Sequence, residues 1–274
     1  MQEPFFSIII PTLNEEKFLP RLLESLVKQT YRNFEVIVVD GKSKDKTVKL
    51  AKTYTSELPA LTVHIADHAS LPYQRNVGAG KAIGTWFIFI DADTVVLPYC
   101  LQQIETYIQS HDVSFLTTWC RPDSEDGNDA RFTLLANLLF ESVKAMKRPA
   151  SPGPFTAVTK SVFGRVGGYD VEHPFLEDQD LTQRITKMGV TLHIIRETLY
   201  VWSLRRYRKE GTLHVLQAYV KSLFPILFLR KTPKNLVGYT MGGHVFSKKK
   251  SSVKPSLLSK TEKQIRSLMQ DLFE

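Results

Sequence analysis

Cysteine is scarce in this sequence: Cys100 and Cys120 are the only two among 274 residues. Two cysteines cannot build a disulfide framework, and neither has a histidine at metal-ligand spacing, so a chain with reduced thiols in the cytoplasm is expected. The opening MQEPFFSIII has no basic stretch ahead of its apolar run, which argues against a cleaved signal peptide. Long hydrophobic runs are also missing. Leu213 to Leu229 comes nearest, but it falls short of the ~20 apolar residues a spanning helix needs and is broken by Lys221 and Pro225. No G-x-G-x-x-G follows the first strand-like run and no G-x-x-x-x-G-K-[ST] occurs anywhere, which removes the Rossmann dinucleotide site and the P-loop.

What is present is ordinary globular material, with 43% hydrophobic and 23% charged residues. The length suits one large domain, or a domain of about 200 residues with an appendage. The net charge of +8 is unevenly placed: 15 of the 36 Lys+Arg but only 4 of the 28 Asp+Glu lie from Val201 to Glu274. The first 200 residues are therefore slightly acidic and the last quarter is strongly basic, a balance that suits an anionic partner or a solvated tail.

Hydrophobic periodicity organises the first part of the chain. Phe6 to Pro11, Phe34 to Asp40, Leu61 to Ala66 and Trp86 to Asp91 read as strands, the last apolar throughout, as expected where both sheet faces are covered. Between them, Phe18 to Gln29, Lys44 to Tyr54 and Gln74 to Ile83 carry helical patterns, the second with Ser43 or Asp45 as its expected cap. Strands alternating with helices predict an α/β fold with a mostly parallel sheet and flanking helices. Ligands of such sheets bind beyond the carboxyl ends of the strands. The polar residues there are Thr12, Asn14 and Glu15, then Asp40 and Ser43, then Asp91 and Asp93.

Asp91-Ala92-Asp93 offers hard oxygen ligands at a strand terminus, suited to Mg2+ or Mn2+ shared with substrate oxygens. A divalent ion bridging a diphosphate would neutralise the charge that develops as a phosphate ester leaves. Arg75 and Asn76 are expected at a helix start, Arg75 able to pair with phosphate and Asn76 with ribose or base, or both forming a surface pair. Asp40, followed by Gly41, is either a turn residue or an acceptor for a base N–H.

Several segments taken together resemble the successive signatures of family 2 glycosyltransferases with a GT-A fold. These are Ser7–Glu16, Val39–Thr47, Arg75–Gly78 with Gly84, Phe89–Asp93, Gly153–Phe155, Val162–Asp170 and Glu177–Arg184. The similarity runs from about Phe6 to Gly211, which implies a catalytic domain over 1–211 and a C-terminal helical extension over 212–274. It also implies an enzyme that moves a sugar, with inversion, from a nucleotide-diphosphate sugar to a glycan, hydroxyl or lipid-linked acceptor. By position, Pro11, Thr12, Asn14 and Glu15 would line the nucleoside, with Asp40 reading the base. Asp91 would approach ribose or metal and Asp93 would hold the metal. Gly153 belongs to the acceptor-side loop, and Asp178, beside Glu177, would be the general base. Asp180 reads as a helix cap with Gln183 at the third position. Where processive relatives carry Q-x-x-R-W, this chain has Ser203-Leu-Arg-Arg-Tyr207, which weakens a reading of polymer synthesis. Arg205 and Arg206 remain candidates to clamp the diphosphate.

The apolar run 213–229, followed by cations through Lys250, suits the cytoplasmic face of an anionic membrane, or a helix packed on the core with a solvated tail. From Ser259 onward a short amphipathic helix is expected. Nucleic acid is not expected, because the basic tail lacks interleaved aromatics. Three further readings stay open. They are a polyprenyl-phosphate glycosyltransferase needing no base, a nucleotidyltransferase, and a nucleotide-sugar-binding protein without turnover.

Overall fold

In the computed structural model, residues 3–173 and 176–210 are described here. The expectations for 212–274, namely the apolar, membrane-associating segment through 213–250 and the helix from Ser259, lie outside the described residues. Among the described residues no helix is long and apolar enough to cross a membrane.

The chain runs β1 (Phe6–Thr12), α1 (Leu19–Val27), β2 (Phe34–Asp40), α2 (Thr47–Lys52), β3 (Leu61–Ile65), α3 (Leu71–Lys81), β4 (Trp86–Ile90) and β5 (Val95–Val96). It continues through α4 (Cys100–Ser110), β6 (Phe115–Pro122), α5 (Gly127–Ala145), β7 (Phe155–Thr159), α6 (Lys160–Arg165), α7 (Glu177–Lys187), β8 (His193–Trp202) and α8 (Arg205–Glu210). One eight-stranded sheet results, in the order β3-β2-β1-β4-β7-β6-β8-β5. The pairs β1/β2, β1/β4 and β2/β3 are parallel as expected. Beyond β4 the sheet is mixed. There β7 runs antiparallel between β4 and β6, and β5 closes the far edge antiparallel to β8.

Strand alternation divides the core into two layers. Ile8, Ile10, Val36, Val38, Ile88 and Ile90 face one side, where α1 contributes Leu19, Leu22, Leu23 and Leu26 at helical spacing. Each of those four leucines is fully buried, a contribution of about 1.5–3 kcal/mol apiece. Ile9, Ile37, Val39, Phe87 and Phe89 face the other side, against Phe163 of α6 and Leu181 and Ile185 of α7. Along β1, β2 and β4, buried throughout, the polar groups lie toward the strand ends.

Local chemistry shifts two helix starts. The helix before β4 begins at Leu71, because Pro72 fits a first turn where its missing N–H costs nothing. The helix after β2 begins only at Thr47, with no side-chain cap. Asp45 instead turns back on the Thr47 amide, and Ser43 bonds Asp40, so neither caps it as expected.

Candidate active site

The loops leaving β1 and β2 are fastened to each other. Thr12 donates to Asp40 Oδ2 at 3.0 Å, and Ser43 donates to the same carboxylate through its amide (2.8 Å) and its hydroxyl (2.5 Å). Asn14 takes a left-handed backbone (φ 55°), which asparagine tolerates. Its amide then donates to Ser43 Oγ at 2.7 Å while its Oδ1 accepts from the Lys44 amide. Thr47 receives the Glu15 amide at 2.8 Å. Gln74, which no motif singled out, donates to the carbonyls of Thr12 and Val39 and so ties the two strand ends from below. Asp40 is 1% exposed with three donors already on it. A nucleobase would therefore reach it only if the Thr12 or Ser43 hydroxyl gave way. Pro11 is buried at the strand end beneath this loop, and Ala92 packs into the core behind the rim rather than facing it.

Arg75 corrects its expectation. It is not at a surface helix start but inside α3, 1% exposed, with its guanidinium shared between two carboxylates. Nη2 donates to Asp91 at 2.9 Å and to the Gly153 carbonyl at 3.3 Å, while Nη1 donates to Glu177 at 2.7 Å. The ring of Tyr169 lies 5.1 Å from the guanidinium carbon. Burial works against the charge on Arg75, but the acidic groups around it outweigh that cost. Both Nη atoms of Arg75 are taken by these partners, while its buried Nε has no hydrogen-bond partner. Asn76 is corrected in the same way. Its side chain donates to the Tyr169 carbonyl at 2.7 Å and accepts from the Tyr169 amide at 2.9 Å, which holds the Gly167-Gly168-Tyr169 turn instead of a ribose. Gly168 is obligatory there, having φ +72° and no room for a Cβ, which would come within 2.7 Å of Asn76 Oδ1.

Helix α7 starts at Glu177, so Asp178 and Asp180 both sit inside its first turn. Asp180 is not a cap; it pairs with Arg184 at 2.7 Å. The Asp178 carboxyl is 9% exposed and bonded by the Gln179 amide at 3.3 Å, and Gln179 in turn donates to the Ser151 carbonyl. Gly153 lies against it: a Cβ there would come within 3.1 Å of Asp178 Oδ2. Burial raises the proton affinity of Asp178, with Arg75 opposing, and Glu177 is raised the same way.

Asp93 and Glu15 meet over Arg205, the first residue of α8. Its Nη atoms donate to both Glu15 oxygens at 2.8 and 2.6 Å, and its Nε lies 2.7 Å from Asp93 Oδ2. The Phe18 ring supports the guanidinium at 4.5 Å. Burial pushes the Asp93 carboxyl up to about 7, with Arg205 opposing and Asp91 and Glu15 adding to the rise. Burial likewise raises Glu15 against Arg205. More negative charge converges here than one arginine satisfies, and the donors are hard carboxylate oxygens, so the set fits a divalent ion such as Mg2+ or Mn2+. Arg206 is half-buried on the same short helix, and Tyr207 packs on Phe132 and Trp202. A second group, Asp170, His173 and Asp180, brings its ligand atoms within 4.8 Å of one another. Arg184 already pairs with Asp180, which sits roughly 200° around the helix from Asp178.

The acidic rim beyond the parallel strands, joined through Arg75 to the helix that bears Asp178, sits on a mixed sheet with flanking helices, the arrangement of a GT-A glycosyltransferase domain. The chain belongs to glycosyl transferase family 2, whose family model matches residues 7–167. It is 29% identical over 200 residues to an uncharacterized glycosyltransferase of Haemophilus influenzae, covering 70% of this chain and 66% of that protein. It is 36% identical over 118 residues to a PGL/p-HBAD biosynthesis glycosyltransferase of Mycobacterium tuberculosis, covering 42% of this chain and 46% of that protein. The chain thus spans less than two thirds of the length of either relative. Among solved structures it is similar to the mannosyltransferase PcManGT of Pyrobaculum calidifontis in complex with GDP-Man and Mn2+, with TM-score 0.65 and 22% identity over 85% of this chain and 67% of that one. It is also similar to residues 1–349 of Staphylococcus aureus TarS in complex with UDP-GlcNAc, with TM-score 0.60 and 23% identity over 72% of this chain and 58% of that one. These structural likenesses establish the fold.

Proposed function

We propose that this chain transfers a sugar from a nucleotide-diphosphate sugar to an acceptor hydroxyl, with inversion at the anomeric carbon. The observation that carries this reading is the Arg75 bridge, which ties the Asp91 end of β4 to the helix bearing Asp178. A donor held at the rim and a base on α7 are thereby fixed relative to each other, which direct displacement requires. Residues Pro11–Glu15 and Asp40–Ser43 form the nucleoside side, and Asp93 and Asp91 would hold a divalent ion. When bound, that ion supplies counter-charge to the departing diphosphate. As the acceptor oxygen forms its bond to the anomeric carbon, the bond to the diphosphate oxygen breaks and the hydroxyl proton passes to Asp178. Its raised proton affinity makes it a better acceptor than a solvated carboxylate. The neighbours solved with UDP-GlcNAc and with GDP-Man and Mn2+ support the donor class and the ion. A thermal-shift screen of UDP- and GDP-sugars with and without Mn2+ tests the reading. Stabilisation by a nucleotide sugar that requires the metal is the expected result, because a ligand of the native state raises its stability.

A lipid-linked acceptor is favoured by a second observation. On α5, Leu134, Leu135, Leu138 and Leu139 are each 44–50% exposed, with exposed Arg131 one turn before the row and exposed Lys147 just past the end of the helix. An apolar stripe flanked by cations suits peripheral contact with an anionic membrane, on its cytoplasmic side. The helix leads into the Ser151–Gly153 loop beside Asp178. If the acceptor were a polyprenyl phosphate, already ionised, Asp178 would have no proton to take.

A further inference from the structure

One cation serves two of the carboxylates assigned above to the nucleoside and to the metal. Arg205 forks onto both oxygens of Glu15 and reaches Asp93 with its Nε–H. All three side chains are largely shielded, at 16%, 6% and 17% exposed. The guanidinium has little freedom to drift off. Phe18 lies under it, and α8 is fastened on both sides of it. The Leu204 amide donates to Asp123, Tyr207 packs on Phe132, and Arg208 pairs with Asp123 and Asp129. A divalent ion on Asp93 would stand next to this fixed positive charge and would compete with it for the same oxygen. A diphosphate changes the balance, because its oxygens are good partners for an arginine fork and also complete the shell of a hard cation.

Resting on the transferase reading, we propose that Arg205 determines how the metal enters: while it holds Glu15 and Asp93 it excludes free divalent ions, and it yields Asp93 when a nucleoside diphosphate arrives. Metal and nucleotide then bind as a strongly coupled pair, each raising the affinity of the other by the same factor. The contact joins residues 190 positions apart, so the segment after β8 borders the donor site.

The experiment is titration with MnCl2, following free Mn2+ by electron paramagnetic resonance, for the full chain and its Arg205→Gln and Arg205→Lys variants. Each titration is run alone and with saturating UDP or GDP. Wild type is expected to bind Mn2+ weakly alone and at least roughly tenfold more tightly with one nucleotide, within the usual range of coupling between sites. Arg205→Gln keeps hydrogen bonding and loses charge, so it should bind Mn2+ alone at least several-fold more tightly than wild type alone, though short of wild type with nucleotide, whose phosphate oxygens it lacks. Arg205→Lys keeps the charge but cannot span Glu15 and Asp93 together, so it should fall between wild type and Arg205→Gln. Phe18→Leu, which removes the ring beneath the guanidinium and leaves α8 intact, should move in the direction of Arg205→Gln by a smaller factor; it decides the matter if Arg205→Gln melts early. Nucleotide-dependent Mn2+ binding by wild type, with no gain in Arg205→Gln or Phe18→Leu alone, would overturn the inference and leave the transferase reading standing. No Mn2+ binding by any variant with any nucleotide would overturn both.

Discussion

Arg75 and Glu177, 102 residues apart in sequence, meet at 2.7 Å with 1% and 7% of their side chains exposed. The same guanidinium holds Asp91. A buried pair of this kind contributes less to stability than its geometry suggests, yet removing one partner strands the other charge.

Arg75→Ala should therefore lower stability by about 3–5 kcal/mol, the usual cost of an orphaned buried charge. Arg75→Lys should lower it less, since an ammonium keeps the charge but cannot span Asp91 and Glu177 together. Urea unfolding followed by far-UV circular dichroism measures both. A shift within experimental error for Arg75→Ala would remove the bridge from the account.

Gly153→Ala puts a methyl 3.1 Å from Asp178 Oδ2, tighter than ordinary contact. The carboxylate must shift, so kcat should fall roughly tenfold while the donor KM changes little, the pattern of a displaced reacting group. Steady-state kinetics against donor concentration separates the two constants. An increase in KM alone would assign Gly153 to donor binding.

The pH dependence follows from the direction in which Asp178 is shifted. Burial raises its pKa in the folded enzyme, and only the ionised form accepts a proton. The transfer rate should thus fall as pH drops through a limb lying above the ordinary carboxylate range, and be restored as pH rises through it. A rate that holds level down to pH ~4, the ordinary carboxylate pKa, would mean that no raised carboxyl acts as base.

Contact with a membrane is tested on α5. Vesicles rich in phosphatidylglycerol should retain the protein at low salt and release it as salt screens the cations. Replacing Leu135 and Leu139, both exposed, with serine should weaken retention at every salt concentration without lowering the melting temperature. Equal retention on neutral vesicles would contradict the charge contribution.

Three of the four strands that sequence made legible, β1, β2 and β4, are buried along their whole length. Runs such as Trp86–Ile90 are apolar throughout and end in the acidic residues of the rim, so periodicity located both strand and site. Strands β6 to β8 carry Thr117, Thr118, Thr156 and Arg196 among their apolar residues, and no expectation covered them. Contacts of long sequence separation were invisible for a different reason. Arg75 has the appearance of a phosphate ligand because nothing near it in sequence reveals Glu177, and Arg205 shows no sign of Glu15, its partner 190 residues away. Gln74 carries no motif signal; only the helix register places its amide beneath the ends of β1 and β2.

The most direct test of the central claim is the single-turnover rate of Asp178→Asn with a hydroxyl acceptor, measured beside its affinity for the donor nucleotide in Mn2+. Loss of a general base predicts a rate lower by roughly 100-fold or more, with donor affinity within about twofold of wild type. The wild-type product should have inverted anomeric configuration by NMR. A variant that transfers to the hydroxyl at close to the wild-type rate, or a wild-type product with retained configuration, would contradict the account.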